Sequence, residues 1–182
     1  MSDRSQYSPG PAAGAEVRKE GETWSLVIVR ELRHAPEKVW LALTDPAHLR
    51  DWAPFDADVN MGTAGAKVRL TTVGAPAEYA CESIVTQANA PELLEYKWGD
   101  FDMRWELEAI GQGTRLTLWT KIDRRYVAMG AAGWHICFDV LDHQLAGTPI
   151  GRMVGPETLK FEGFQRLHKE YASQFHDSSP EP

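Results

Sequence analysis

The sequence predicts an α+β domain: a curved antiparallel sheet of about six or seven strands wrapped round a long C-terminal helix, with two short helices after the first strand. Three observations lead to this prediction. An apolar strand-like run is followed by two short helical segments, a series of alternating runs separated by turn residues comes next, and a long amphipathic stretch follows. A bent sheet around one helix encloses space that side chains need not fill.

The first strand is predicted at residues 24–32, a run that is apolar and rich in β-branched residues. Pro36 can begin a helix because its missing N–H is not needed in the first turn. Asp45 can cap a second helix, which Pro46 begins and Pro54 ends. The two helices are expected to lie across the mouth of the sheet.

The middle of the chain consists of strand-length runs with period-two alternation, separated by turn signals rich in Gly and Pro. The apolar positions that share one face are Val68, Leu70, Leu94, Tyr96, Trp98, Met103, Trp105, Leu107, Leu116, Leu118 and Ile122. This pattern describes an antiparallel meander with one covered face. Trp119 interrupts it on the charged face, so we expect a later helix or another subunit to cover that ring.

The long helix is predicted at residues 133–145, where an apolar stripe at helical spacing runs along one side. That stripe contains Trp134, Cys137, Phe138, Leu141 and Leu145. A second amphipathic stretch, from residue 158 to about 175, predicts a final helix packed on the body. The resulting domain organisation is a flexible N-terminal tail at 1–21, a main domain at 22–148, a helical extension at 149–176 and a disordered tail at 177–182.

Composition excludes several classes of function. The net charge of −7 over 182 residues argues against a broad nucleic-acid surface and against docking on anionic lipid. Two cysteines are too few for a disulfide framework or a cysteine-based zinc site. The N-terminal residues lack the apolar run of a signal peptide, and no segment approaches the roughly 18 consecutive apolar residues of a membrane span. The expectation is a cytoplasmic protein with no cofactor and no nucleic-acid or membrane partner.

Three segments carry a resemblance to a known family: HAPEKVWLALTDPAHLRDWAP, LLEYKWGDFDMRWELEAIGQGTRLTLWTKI and GWHICFDVLDHQLAG. In this order and separation they resemble the helix-grip fold of the START-like, or SRPBCC, superfamily, and its branch named after activators of the heat-shock protein 90 ATPase. The resemblance covers about residues 24–147. It implies a cavity between sheet and long helix, in which superfamily members bind lipids, hormones, polyketides or other apolar molecules. Some members are cyclases or hydrolases, and the eukaryotic members of the branch stimulate a chaperone ATPase but carry a further N-terminal domain.

Large rigid rings can line such a cavity at low entropic cost, and their polar edges can orient a ligand. The alternative is that many of these rings only fill the core. The candidate ligand-binding residues are Trp40, Trp52, Tyr79, Tyr96, Trp98, Phe101, Trp105, Trp134, His135 and Phe138.

The polar residues on the long helix have two possible interpretations. His135, Asp139 and His143 are spaced by one helical turn, which could offer ligands to zinc or a carboxylate-oriented general base. A solvated polar face explains the same residues, and no HExxH or CxxC pattern supports a metal site. Arg30 lies within the apolar first strand, so it is expected either to pair with a carboxylate such as Glu82 or to reach solvent.

The sequence therefore favours a protein that binds a hydrophobic or amphipathic small molecule, rather than an enzyme. One alternative is a small-molecule cyclase or hydrolase that uses His135 in the cavity. Another is a protein-interaction module like the chaperone-ATPase activators, with an exposed apolar patch and little enclosed volume. A homodimer is a further possibility, since Trp119 and the C-terminal apolar stripe offer surface, although the same stripe could pack within the monomer.

Overall fold

The computed structural model describes residues 4–177. The strands in this part of the chain are β1 (Ala15–Glu20), β2 (Thr23–Leu32), β3 (Phe55–Ala57), β4 (Lys67–Thr72), β5 (Cys81–Ile84), β6 (Gln87–Asn89), β7 (Leu93–Trp98), β8 (Phe101–Ile110) and β9 (Gly113–Lys121). The α-helices are α1 (Pro36–Thr44), α2 (Pro46–Trp52), α3 (Val127–Leu145) and α4 (Glu162–Asp177). Short 3₁₀ turns lie at Ala77–Tyr79 and Pro156–Lys160.

The main sheet has six strands in the order β1-β2-β9-β8-β7-β6, and β3-β4-β5 form a second, three-stranded sheet. Every pairing within the two sheets is antiparallel. The long helix α3 packs on the main sheet, where Trp134 of α3 meets Trp105 of β8 with ring centroids 5.6 Å apart. The predicted fold class, a helix-grip α+β domain, is confirmed.

The two short helices begin as the sequence predicted. Proline occupies the first turn of both, and the Asp45 carboxylate accepts a hydrogen bond of 2.8 Å from the Ala47 N–H at the start of α2. This satisfies one of the amides that a helix N-terminus leaves unpaired. Leu49 and Trp52 of α2 are buried, so this helix closes one end of the space between sheet and α3.

The N-terminal region differs from the predicted flexible tail. Residues 15–20 form β1, which pairs with β2, and the segment just before it lies along α4. There the Ala12 N–H donates to the Glu170 carboxylate at 2.8 Å, and the Gln174 amide donates to the Ala12 carbonyl at 2.9 Å. Pro and Gly make this segment look unstructured, but its backbone groups find partners more than 150 residues away, which local composition cannot reveal.

The C-terminal extension ends in a helix packed on α3, as predicted, but this helix begins at Glu162 and not at residue 158, where a 3₁₀ turn lies instead. Its apolar stripe of Phe164, Leu167, Tyr171 and Phe175 is buried. The predicted disordered tail at 177–182 lies outside the described residues, apart from the backbone of residue 177, which ends α4.

Within the chain, the half-buried Trp119 ring packs against the edge strand β1, and not against a later helix. The Arg18 guanidinium carbon lies 4.7 Å from the centroid of the Trp119 ring, a cation–π contact. Of the two surfaces that suggested a homodimer, the C-terminal stripe is packed within the chain and Trp119 is half-buried, and the homodimer stays a prediction. Among the helices of residues 4–177, none combines the length and the apolar character that crossing a membrane requires.

Candidate functional site

A cavity of about 250 Å³ lies between the main sheet, the first half of α3 and the segment that joins α3 to α4. Its sheet wall consists of Trp98, Phe101, Met103, Thr120 and Ile122. Its helix wall consists of Met129, Gly130, Gly133, Trp134 and Cys137. Its cover consists of Pro54, Met153, Val154, Gly155, Thr158, Leu159 and Phe164.

Two glycines of α3 decide where the helix touches the sheet and where it leaves room. A Cβ added at Gly130 would lie 2.8 Å from the Ile122 Cδ1, so this glycine permits close packing. A Cβ added at Gly133, one turn later, would meet no atom within 4 Å. Gly133 is half-buried and lines the cavity, so the missing side chain leaves part of this space open.

The cover is held in place by Arg152. Its guanidinium donates to the Ala53 carbonyl at 2.6 Å, the Phe55 carbonyl at 2.8 Å and the Asp56 carboxylate at 2.8 Å. On the other side of the cover, Gly74 has a positive φ of 82°, and a Cβ there would lie 2.7 Å from the Pro156 ring. The joining segment is thus tied to α2, β3 and the β4–β5 connection, and it forms a fixed wall of the cavity.

Of the candidate binding residues, the structure brings Trp98, Phe101 and Trp134 together at the cavity. The Trp98 ring lies 5.7 Å from Phe101 and 6.3 Å from Trp134, measured between centroids. The Trp98 indole N–H donates to the Thr72 hydroxyl at 3.0 Å, which fixes the orientation of that ring.

Other candidates fill the closed end of the space instead. Four candidates are buried side chains outside the cavity lining: Trp52, Tyr96, Trp105 and Phe138. Trp105 stands edge-on to Trp52 and donates its indole N–H to the Tyr96 hydroxyl at 3.1 Å. Trp40 is half-buried beside Gly62, and Tyr79 is 71% exposed in the turn at Ala77–Tyr79. The core-filling alternative describes the first four, whereas Trp40 and Tyr79 belong neither to the buried core nor to the cavity lining.

Sequence reasoning missed the cover. Two of its residues, Met153 and Val154, lie in a segment without regular secondary structure, and two, Thr158 and Leu159, lie in a short 3₁₀ turn. Neither conformation has a periodicity that could mark an inward face. The available signal was composition: apolar residues recur here between two helices, where a simple linker would be polar. Phe164 belonged to the predicted C-terminal stripe, but its position at the cavity depended on how α4 docks.

The cavity is apolar and uncharged. None of its described lining residues is Asp, Glu, Lys, Arg or His. Burial raises the pKa of the Cys137 thiol to about 12, so this cysteine is neutral at physiological pH. The hydroxyl groups in the lining belong to two threonines, and the other polar groups are the Cys137 thiol and the indole N–H groups of Trp98 and Trp134. The Thr120 hydroxyl donates only to the Met103 thioether, at 3.4 Å, and the buried Thr158 hydroxyl has no hydrogen-bond partner among residues 4–177.

His135 lies on another face of α3, towards α4, and does not line the cavity. Its Nδ1 is 2.7 Å from the Tyr171 hydroxyl, and its Nε2 is 3.7 Å from the Asp139 carboxylate. Asp139 also forms an ion pair with Arg30 and accepts a hydrogen bond of 2.6 Å from the Tyr7 hydroxyl. The predicted solvated face is therefore wrong at His135 and Asp139, because α4 and the N-terminal segment cover them.

Burial dominates the protonation of this network. Desolvation lowers the pKa of His135, and the neighbouring Asp139 carboxylate opposes that shift only in part. Desolvation likewise raises the pKa of the Tyr7 and Tyr171 hydroxyls, so both remain protonated donors.

Two further sequence predictions are settled by these contacts. Arg30 pairs with Asp139, and Glu82 pairs instead with Arg69, at 3.3 Å on the surface. The suggested zinc site on α3 finds no support, since the described residues contain no group of three or more His, Cys, Asp or Glu placed to hold a metal ion.

Comparison with known proteins identifies the family. The sequence model described as "Activator of Hsp90 ATPase homolog 1-like protein" matches residues 33–146 of this chain. No curated protein matches the sequence.

Several solved structures share the fold. A conserved protein of unknown function from Enterococcus faecalis is 19% identical with a TM-score of 0.68, over 91% of this chain and 92% of that one. CalU16 from Micromonospora echinospora, solved by NMR, is 18% identical with a TM-score of 0.65, over 96% of this chain and 100% of that one. DynU16, a protein in the dynemicin biosynthetic locus, is 19% identical with a TM-score of 0.59, over 72% of this chain and 51% of that one.

Proposed function

The chain belongs to the family of activator of Hsp90 ATPase homolog 1-like proteins, and on that premise we propose that it binds a hydrophobic or amphipathic small molecule between its sheet and α3. The observation that carries this proposal is the apolar cavity lined by Trp98, Phe101 and Trp134. CalU16 and DynU16 share the fold, and DynU16 is described as a protein of the dynemicin biosynthetic locus, which supports a role with small molecules.

The size of the cavity limits the ligand. Ligand cavities commonly span about 300–1,000 Å³, so a volume of about 250 Å³ suits a compact molecule of one or two rings. Burying apolar ligand surface is worth about 25 cal/mol per Å², and the rings that line the cavity add contact area at low entropic cost.

The enzymatic alternative requires His135 in the cavity, and His135 lies outside the cavity lining. A cyclase or hydrolase built on His135 requires the imidazole to face the bound molecule. Here the imidazole faces Tyr171 and Asp139 on the α4 side of the helix. Reaction chemistry that depends on His135 therefore has no support in this geometry.

The alternative of a protein-interaction module predicts a broad exposed apolar patch and little enclosed space. Phe101 is 40% exposed and Leu159 is 47% exposed, but both belong to the cavity lining, so their exposure is accounted for by the cavity mouth.

We place the binding protein in the cytoplasm as part of the proposal, because Cys81 and Cys137 are both free thiols.

A matched pair of variants at Gly133 tests the proposal. Gly133→Leu adds a side chain where a Cβ meets no atom within 4 Å, so it should occupy the cavity without disturbing the fold. Gly133→Ala adds only a methyl group and should leave most of the space free. Binding of naphthalene, a neutral compact hydrocarbon, is followed by the rise in Tm and by the fluorescence of the lining tryptophans.

Naphthalene should raise the Tm of the wild type and of Gly133→Ala, and should have no effect on Gly133→Leu. Native mass spectrometry of freshly purified wild type should show a retained small molecule that Gly133→Leu lacks. Binding that persists in a folded Gly133→Leu variant, or no binding by the wild type, contradicts the proposal. Capture of a chaperone without any response to small ligands favours the interaction module.

A further inference from the structure

The indole N–H of Trp134 is a hydrogen-bond donor that the described part of the chain leaves unused. Trp134 lines the cavity and is only 7% exposed, and its N–H donates to no group within residues 4–177. Two other unpaired atoms, Trp119 Nε1 and Thr158 Oγ1, are fully enclosed, each with less than 1 Å² of accessible surface. Trp134 Nε1 does not belong to that enclosed group, so it keeps accessible surface.

The accessible surface of this nitrogen faces the cavity. The Trp134 ring packs against the rings of Trp105, Phe138 and Trp98, with centroids 5.6, 6.1 and 6.3 Å away. Trp105 and Trp98 both stand at 81° to it and hold it in one orientation. Because the cavity is the open space that this ring borders, the N–H is presented to a ligand in a fixed direction, which lowers the entropy cost of binding.

The other polar side-chain groups of the described lining are engaged, enclosed or weak. The Trp98 indole N–H and the Thr120 hydroxyl already donate to neighbouring side chains, at 3.0 and 3.4 Å. The Thr158 hydroxyl oxygen does not open on the cavity. Cys137 contributes a thiol, which is a weak donor. Trp134 therefore offers the strong donor that a ligand can reach.

The unused N–H favours ligands that carry an acceptor. In the free protein the accessible N–H can bond to water, and a ligand that fills the cavity displaces that water. A pure hydrocarbon then leaves the N–H buried without a partner, whereas an acceptor atom replaces the lost bond. The described lining has no charged side chain, so an ionised group would lose its hydration and meet no opposite charge. The acceptor is therefore expected to be neutral.

We propose that the cavity selects compact ring molecules with a neutral hydrogen-bond acceptor, such as a ring nitrogen or an ether or carbonyl oxygen, and that the Trp134 indole N–H donates to this acceptor. This inference rests on the proposed function, since it concerns the same cavity. It goes further by assigning the ligand's charge, its polar group and the residue that recognises it.

Two probes of nearly equal shape test the assignment: naphthalene, and quinoline, in which a ring nitrogen replaces one C–H group. Quinoline is neutral at pH 8, and its nitrogen also bonds to water. The informative quantity is therefore the ratio of quinoline affinity to naphthalene affinity, compared between protein variants by calorimetric titration. A third probe, 2-naphthoate, carries a negative charge and should bind at least about tenfold more weakly than naphthalene.

Trp134→Phe keeps an aromatic ring at this position and removes the N–H. The affinity ratio should fall about fivefold to tenfold in this variant, which corresponds to one net hydrogen bond. Trp98→Phe is the matched control, because it also shrinks a cavity ring but removes an N–H that the Thr72 hydroxyl already holds. Naphthalene binding should weaken similarly in both variants, and the ratio should stay at the wild-type value in Trp98→Phe.

The indole N–H signals of the ¹⁵N-labelled wild type give a second measurement, which does not depend on the folding of a variant. The Trp134 signal can be assigned through its contacts with the Trp105 and Phe138 rings. Quinoline should shift this signal downfield, as a new hydrogen bond requires, and naphthalene should not.

The outcomes separate the two proposals. If the wild type binds neither naphthalene nor quinoline, the proposed function fails. If it binds both with the same affinity ratio in all three proteins, and quinoline causes no downfield shift, the cavity binds ligands but the role of Trp134 is wrong. A fall of the ratio in Trp98→Phe and not in Trp134→Phe would also overturn that role. Tightest binding of 2-naphthoate would contradict the neutral ligand class.

Discussion

The two faces of α3 differ in what surrounds their side chains. The face towards the sheet carries Gly133 and Trp134 and borders an apolar cavity with no charged residue in its described lining. The face towards α4 carries the buried His135 and the half-buried Asp139, which form a connected polar network with the half-buried Arg30. Adjacent residues of one helix thus lie in opposite environments, because each step along the helix turns by about 100°.

This difference distinguishes polar groups that join parts of the chain from space that the side chains leave unfilled. On the α4 side, the polar groups are joined to one another, so they hold α4 and the N-terminal segment to the body. On the sheet side, space is unfilled and the Thr158 hydroxyl is unpaired among the described residues. Titratable residues alone would have directed attention to the α4 side, whereas the unfilled space lies on the sheet side.

The largest effect is expected at the filled end of the sheet-facing side. Phe138→Ala should lower the free energy of unfolding by about 3–5 kcal/mol, because Phe138 is fully buried against Trp105 and Trp134. Chemical denaturation measures this change. Phe101→Ala, at the 40% exposed mouth, is the control and should cost less than about 1 kcal/mol. A similar loss in the free energy of unfolding for both variants would contradict the difference between a packed end at Phe138 and an open end at Phe101.

The next largest effect is expected on the α4 side. Asp139→Ala should cost about 2–4 kcal/mol, because it leaves the partly buried Arg30 guanidinium without its partner. Glu82→Ala removes the exposed partner of Arg69 and should cost less than about 1 kcal/mol. Naphthalene should still bind Asp139→Ala at a temperature where that variant is folded. Replacing both charges, as Arg30→Met with Asp139→Leu, should restore at least half of the loss, and failure to do so would indicate a role beyond pairing.

The dependence of stability on pH tests the burial of His135. Its folded pKa is lowered by desolvation below the ordinary value of 6.5, so the unfolded chain binds more protons as the pH falls past that value. Stability should therefore decrease as the pH falls from 7.5 through about 6.5, by at most about 1.4 kcal/mol for each pH unit from this one proton.

The groups that face His135 are Asp139, Arg30, Tyr171, Arg166 and Glu170, and all remain in the variant His135→Asn. That variant should have a flatter profile of denaturation midpoint against pH than the wild type. His168→Asn, on the exposed side of α4, should keep the wild-type profile. A wild-type profile in His135→Asn would mean that the imidazole is not buried in solution.

The smallest effect is expected from Gly133→Ala. A glycine within a helix is less stable than alanine by about 0.5–1 kcal/mol, and the added methyl group meets no atom within 4 Å. Thermal unfolding should show a small rise in Tm. A decrease would show that the cavity at this point is narrower than the structure indicates, which would also weaken the use of Gly133→Leu.

Much of the fold could be predicted from local patterns. The proline-led starts of α1 and α2, the Asp45 cap and the alternation of Met103, Trp105 and Leu107 depend on neighbouring residues only, and the structure contains all of them. The start of α3 was placed six residues late, at 133 and not at Val127, because Gly130 and Gly133 weaken the helical pattern there. The strand β1 and the segment before it were missed, since their partners lie far away in sequence.

The candidate site was predictable only in part. Trp98, Phe101 and Trp134 share the inward faces that alternation and helical spacing indicate, and they line the cavity. Trp52, Trp105 and Phe138 satisfy the same criteria and fill the core. Periodicity identifies the face on which a side chain lies, but it carries no information about whether the opposite wall is in contact with it.

The sequence by itself determined most of the secondary structure, the inward faces and the family, because these follow from short-range patterns of polarity and from motifs. Only the tertiary structure decided that His135 faces α4, that Arg30 pairs with Asp139, and that a cavity remains beside Gly133 with Thr158 in its wall. The reason is that unfilled volume and unpaired polar groups depend on how separate elements meet, and no segment of the chain specifies that alone.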